Sequence, residues 1–367
     1  MQIAIVGLAG AGKTTVFNTL TRGHAETGGY GGLTVNVGVV KVPDARLVQL
    51  TVLFHPRREV PADVTYVDLP APPTAVDGRA PATDIPADQL ARLRDADALL
   101  QVVRSFEDAA VPHPAGSVDP WRDLENLELE FMMADLAVGE KRVERLRATG
   151  HHGTPAERDA NDRELAVLEP LVAALREGRP VRSLDLDAEA SRVIRGFRFL
   201  TEKPVLVLFN IGEADLPRSA DLAAAARARL DRPKTLVDVL SARLEMEIGE
   251  LEESEAAAFR ADLGLAEASL ERVIHLSHRL LGLLVFFTAG PDETRAWTLR
   301  DGDTAVDAAA AIHSDLARGF IRAEVVAWHD LLELGSLAEA RRAGRLRSEG
   351  RTYRVRDGDV IEILFNV

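Results

Sequence analysis

Residues 2–6 form an unbroken apolar run closed by Gly7, the pattern of a strand buried on both faces. Helical sequence follows from Lys13 to about residue 22, and a glycine-rich loop is expected over 23–33. Residues 35–42 and 60–69 read as strands, 89–96 as a helix and 98–103 as another buried strand. Between them, 70–86 carries too much proline for regular structure. The strand–helix rhythm resumes with strands at 204–210 and 234–240 and helices at 222–230, 245–263 and 270–283. From 284 the pattern changes to short strands, at 284–289, 294–299, 323–327 and 353–365. One helix sits among them, 306–316, with Thr304 and Asp307 spaced for an N-terminal capping box. Trp297, Phe286 and Phe287 read as the core of this last region.

Residues 119–195 have a different period. Leu129, Met132, Leu136, Gly139, Val143 and Leu146 repeat at alternating spacings of three and four, and so do Leu165, Leu168, Val172 and Leu175. Thr149–Pro155 between them is rich in turn formers. Two such stripes joined by a short polar turn predict an antiparallel coiled-coil arm. The expected fold class is therefore α/β. A nucleotide-binding domain takes 1–118 and 196–283, the helical arm is inserted at 119–195, and an α+β domain takes 284–367.

Composition narrows the function classes. The chain has 367 residues, 46% hydrophobic and 28% charged, as expected of a soluble protein of two to three domains. No apolar run is long enough to span a membrane, and the first residues lack a secretory leader, so a cytoplasmic location and no membrane partner are expected. With no cysteine, disulfides, thiolate nucleophiles and cysteine-bound metals are excluded. The net charge of −14 argues against non-specific coating of nucleic acid, and DNA is not an expected partner. One local exception is Arg341, Arg342, Arg345, Arg347, Arg351, Arg354 and Arg356, with Glu349 the single acid among them. This cluster is either a face for ribosomal RNA phosphates or an ordinary solvated surface. His151 and His152 at the expected arm tip have no third ligand nearby.

Gly7-Leu8-Ala9-Gly10-Ala11-Gly12-Lys13-Thr14 satisfies the phosphate-loop pattern. Glycines let successive backbone N–H groups turn inward on phosphate oxygens, and the following helix aims its positive end at them. Gly7, Gly10, Ala11, Gly12, Lys13, Thr14 and Thr15 are the expected phosphate contacts, with the Lys13 ammonium on the terminal phosphates. The Thr14 hydroxyl is an expected Mg²⁺ ligand. Asp68, at the tip of an apolar strand, would hold the same ion through water, and Thr34 would add a hydroxyl when its loop closes. Switches, kinases and transport ATPases all use this loop, so the base site must discriminate.

Asn210-Ile211-Gly212-Glu213 follows a strand where many phosphate-loop switches carry N-K-x-D. The acid is one carbon longer and the lysine is replaced by Ile211, which can pack on either purine. A displaced carboxylate loses the paired contact with guanine, so ATP is expected over GTP, with GTP hydrolysis left open. Ser241, Ala242 and Arg243, after the next strand, occupy the place of a second base-contacting loop.

These motifs, with Pro43-Asp44-Ala45-Arg46-Leu47, Val102-Val103-Arg104-Ser105-Phe106-Glu107, Phe286-Phe287-Thr288-Ala289-Gly290, Arg295-Ala296-Trp297-Thr298 and Asp357-Gly358-Asp359-Val360, run in order along the whole chain. Together they resemble the YchF / Obg-like ATPase family. The resemblance implies a Ras-like P-loop NTPase domain interrupted by a coiled-coil arm, then a β-grasp TGS domain. It implies slow, Mg²⁺-dependent, K⁺-stimulated ATP hydrolysis and association with the ribosome or ribosomal RNA. It also assigns the water-placing role to a histidine that falls, by position, at His113. The chain departs from the family at three places. Gly10 replaces the asparagine tied to K⁺, which undercuts the expectation of K⁺ stimulation. Ala71 replaces a glycine, and proline-rich 70–86 replaces a glycine-rich switch. A stiffened second switch keeps open the alternative of an ATP-binding scaffold that does not hydrolyse.

Overall fold

The apolar runs become strands wherever helices can cover both faces. The computed structural model describes residues 1–23, 35–69, 85–149, 154–263 and 269–366. Thr34, Ala71, His151, His152 and most of the expected loops at 23–33 and 70–86 lie outside them. The strands are β1 (Gln2–Val6), β2 (Asn36–Lys41), β3 (Arg58–Val60), β4 (Asp63–Asp68), β5 (Ala98–Ser105) and β6 (Val205–Ile211). They continue with β7 (Thr235–Leu240), β8 (Leu283–Ala289), β9 (Glu293–Arg300), β10 (Phe320–Ala327), β11 (Arg347–Glu349) and β12 (Asp359–Phe365).

The first sheet has the order β2-β4-β1-β5-β6-β7, with β1 parallel to β4 and β5, and β5, β6 and β7 parallel in turn. Chain order reverses at β1, so the crevice for a ligand lies beyond its carboxyl end, between those of β4 and β5. This is the expected α/β, Ras-like arrangement. Its core includes Ala4, Val6, Val67, Leu99, Val103, Val205, Val207 and Phe209.

Leu124, Leu127 and Phe131 join that core from the start of the helix Pro120–Thr149. Further along, Met132, Val143 and Leu146 pack with Leu168, Leu171, Val172 and Leu175 of the helix Pro155–Arg176. Glu140 pairs with Arg176 and Arg147 with Glu169, so the two helices run antiparallel. Leu129 departs from the expected stripe: it is 51% exposed. Asp135, fully buried, accepts from Leu200 N, Thr201 N, Thr201 Oγ1 and Arg94, tying this helix to the chain entering β6.

The second sheet, β11-β10-β12-β8-β9-β3, pairs β12 parallel with β8 and closes a β8–β9 hairpin. Phe286 and Phe287 are fully buried, and Trp297 stacks on Phe286. Thr304 and Asp307 form the expected capping box. Arg46 binds Asp44 and Asp357 and lies over the Phe287 ring, so three of the sequence motifs meet at one point.

Several expected elements are divided. Residues 60–69 are not one strand: Pro61, which has no N–H to donate, separates β3 from β4, and the two join different sheets. The chain accordingly splits into Met1–Gly38 with Thr65–Val273, and Val39–Val64 with Ile274–Val367. The C-terminal unit thus takes in a segment that the sequence reading had placed in the nucleotide domain, because β3 pairs with β9. Helix 306–316 breaks at His313, whose extended backbone and Nδ1 cap the next helix. Helix 245–263 becomes Ala242–Gly249 and Glu253–Asp262. Of 353–365 only β12 is a strand, because the Asp359 carboxylate holds a turn by accepting from Arg356 N and Tyr353 Oη.

Candidate functional site

The segment after β1 turns directly into the helix Lys13–Thr21. Gly12 precedes that helix in the left-handed region, at φ 90°, and a Cβ there would lie 2.4 Å from Asn210 Nδ2. Both facts require glycine. Asn210, 4% exposed, donates from Nδ2 to Ala11 O at 3.0 Å and accepts the N–H of Ala242 on Oδ1 at 3.0 Å. One side chain therefore ties the phosphate loop, the end of β6 and the segment after β7 together.

Lys13 is buried, and its ammonium donates to Gly7 O at 2.9 Å and Leu8 O at 3.0 Å. Burial pushes its pKa down to about 8 against the opposing pull of the Asp68 charge. Asp68 closes β4 and is also buried. Its Oδ2 accepts from Thr14 Oγ1 at 2.9 Å and from Asn36 Nδ2 at 3.4 Å, while Oδ1 is buried with no partner among the described residues. Burial raises its pKa, and the two hydrogen bonds and Lys13 oppose that shift. A hydroxyl touching a carboxylate with a spare buried oxygen is a hard donor set that fits a small divalent cation. Thr15 stays within the first turn of the helix, its carbonyl accepting from Thr19 Oγ1.

The expected base site assembles unevenly. Ser241 and Ala242 are buried at the start of the helix Ala242–Gly249, and Arg243 is exposed and pairs with Glu247. Glu213 is exposed just beyond β6, free to meet a base edge. Ile211 is the last residue of β6, 4% exposed and packed into the core of the sheet, so it presents little surface to a purine ring.

His113 sits differently from the role the resemblance implies. Its Nδ1 accepts the Ala115 N–H at 3.1 Å, which leaves Nε2 carrying the proton toward Asp123 Oδ2 at 2.8 Å. The ring is only 4% exposed. Both nitrogens are engaged within the protein, so in this conformation neither can place a water. Asp123 and Asn36, the partners that matter here, carried no local signal: each gains its meaning from a residue brought near by folding.

The arginine cluster is also altered by folding. Arg341 pairs with Glu324, Arg342 with Glu339, Arg345 with Asp330, and Arg347 with Glu349 and Asp359. Four of the seven arginines thus gain acidic partners in space, while Arg351, Arg354 and Arg356 remain exposed.

Among the described residues no helix is long and apolar enough to cross a membrane. A family model described as "50S ribosome-binding GTPase" matches residues 2–133, and the YchF-GTPase_C model, described as "Protein of unknown function (DUF933)", matches 283–366. The chain is 39% identical to the "Ribosome-binding ATPase YchF" of Bacillus subtilis (strain 168) over 371 residues, covering 100% of both proteins. It is 37% identical to the protein of the same name from Escherichia coli O157:H7, covering 100% of this chain and 99% of the relative. The solved structure titled "Structure of the Schizosaccharomyces pombe YchF GTPase" superposes with a TM-score of 0.86 at 28% identity, covering 99% of this chain and 97% of that one. With its phosphate loop braced by Asn210 and likeness running from end to end, the chain belongs to the YchF family.

Proposed function

We propose that this chain is a slow, Mg²⁺-dependent ATP hydrolase that associates with the ribosome in the cytoplasm. The observation that carries the enzymatic part is the partly buried contact between Thr14 and Asp68 beside Lys13. Mg²⁺, when bound, would supply Lewis-acid stabilisation of the charge that develops on the phosphates. Thr14 and Asp68 would hold it, the second through water. Lys13 releases its two loop carbonyls and donates to the terminal phosphates, and the loop N–H groups stabilise the charge that builds there. Glu213 supplies a carboxylate to the base edge and favours adenine. The ribosomal part rests on the names of the relatives.

Turnover also needs a group that orients water. For His113 to do so its ring must leave Asp123 and Ala115. The engaged ring favours a second reading, an ATP-binding scaffold with negligible hydrolysis. Single-turnover phosphate release from the purified chain with Mg²⁺, against Lys13→Ala, separates the two. Lys13-dependent release supports the hydrolase, and its absence supports the scaffold. Titrating ATP and GTP at equal Mg²⁺ tests the base: ATP should bind several-fold tighter, and a GTP preference refutes the role given to Glu213. A salt-dependent co-sedimentation with purified ribosomes tests the remaining part.

A further inference from the structure

Arg104 lies near the carboxyl end of β5, in register with Asn210 on β6. It is only 2% exposed. Two arms of its guanidinium are used: Nε donates to Phe106 O at 3.1 Å and Nη2 to Asp108 O at 3.4 Å, with the group over the Phe106 ring. The third, Nη1, is buried and has no partner among the described residues. A buried donor left unpaired is costly and points to an acceptor that arrives with a ligand. Nη1 lies 3.1 Å from where a Cβ on Gly10 would stand, against the wall of the phosphate loop, and Val111 Cγ1 lies at the same distance. Val111 is 37% exposed, at the end of the short turn Asp108 begins, beside the same wall of the loop. Gly10 is what allows both side chains to approach: any larger residue would displace them.

We infer that Arg104 is a terminal-phosphate-binding residue, its free Nη1 donating to an oxygen of the last phosphate of a nucleoside triphosphate. The inference rests on the nucleotide reading above and adds a contact that neither the phosphate-loop motif nor the metal ligands supply. Through Phe106 O and Asp108 O the same guanidinium links that phosphate to the segment that holds Val111 and His113. A diphosphate would leave Nη1 without its acceptor. The competing explanation is a structural water: a cavity of about 10 Å³, lined in part by Gly7, Gln101, Arg104 and Asp123, adjoins the loop and is close to the size of one water. A water partner is indifferent to the number of phosphates.

The test is calorimetric titration of the full chain with Mg²⁺ and either the non-hydrolysable β,γ-imido analogue of ATP or ADP. In Arg104→Gln the analogue should lose about tenfold or more in affinity, the scale of one charge-assisted hydrogen bond, while ADP stays within about twofold. Equal losses for both nucleotides, or no loss for either, overturn the assignment. Should Arg104→Gln fail to fold, Arg104→Lys keeps the charge but cannot reach Phe106 O, Asp108 O and a phosphate together. A selective loss of the analogue there supports the assignment, and any unselective result overturns it. If the unaltered chain binds neither nucleotide, the proposed function fails first and the assignment falls with it. Normal binding with an unselective variant removes the assignment alone.

Discussion

The depressed pKa of Lys13 makes nucleotide binding a proton-uptake reaction. In the free chain the ammonium is buried, and its pKa falls from the ordinary 10.5 to about 8. A triphosphate beside it supplies strong negative charge and restores the protonated form. At pH 8.5 about a quarter of the free chain carries a charged Lys13, so binding should take up roughly 0.75 proton. Affinity should fall about tenfold from pH 7 to pH 9, since the charged fraction falls by that factor. The nucleotide phosphates are already ionised above pH 8 and contribute little to the balance. Calorimetry at pH 8.5 in two buffers of different ionisation enthalpy measures the uptake directly. Lys13→Met should abolish it. An uptake near zero in the unaltered chain, or one that persists in Lys13→Met, refutes the argument. The same shift bears on folding. Between about pH 8 and the 10.5 of the unfolded chain, the unfolded state binds more protons, so the free protein should gain stability as pH rises through that window.

Asn210→Ala strands Ala11 O and the Ala242 N–H, and two buried unpaired groups predict a loss of about 2–5 kcal/mol in a denaturant melt, with weakened ATP binding. His113→Ala removes the partner of Asp123 Oδ2, while Arg122 still donates to Oδ1, and should cost about 1–3 kcal/mol; an unchanged melt would show that the ring is not held as described. Asp135→Ala leaves the buried N–H groups of Leu200 and Thr201 without their acceptor and Arg94 with backbone carbonyls but no carboxylate, so a loss of about 3–5 kcal/mol is expected. A melting midpoint within error of the unaltered chain would refute that last role.

The phosphate loop was legible because its physics is local. Glycine conformations, a strand before and a helix after are all written within the first twenty-odd residues. The same holds for the Thr304–Asp307 capping box and most of the helical stripe, where contacts recur every three or four positions. Local reading went wrong where one residue type serves two structures. Nothing in 60–69 announces that Pro61 sends its two halves into different sheets. The apolar character of Ile211 is equally suited to a ring face and to the core, and packing chose the core.

Side-chain partners far apart along the chain were beyond any local pattern. Asn210 is visible in the sequence only as part of the base motif, and its acceptor on Ala11 lies 199 residues away. The acids that pair with part of the arginine cluster include Glu324 and Asp330, outside the segment itself. His113 looked like a loop residue until Asp123 closed on it, and Arg104 became informative only when two of its three arms were seen to be occupied. The order of residues therefore specified a nucleotide-gripping turn and the α/β class, since these follow from neighbours in the chain. Which charges remain free, which donors lack acceptors and which loops are locked depend on contacts that exist only once the backbone has folded.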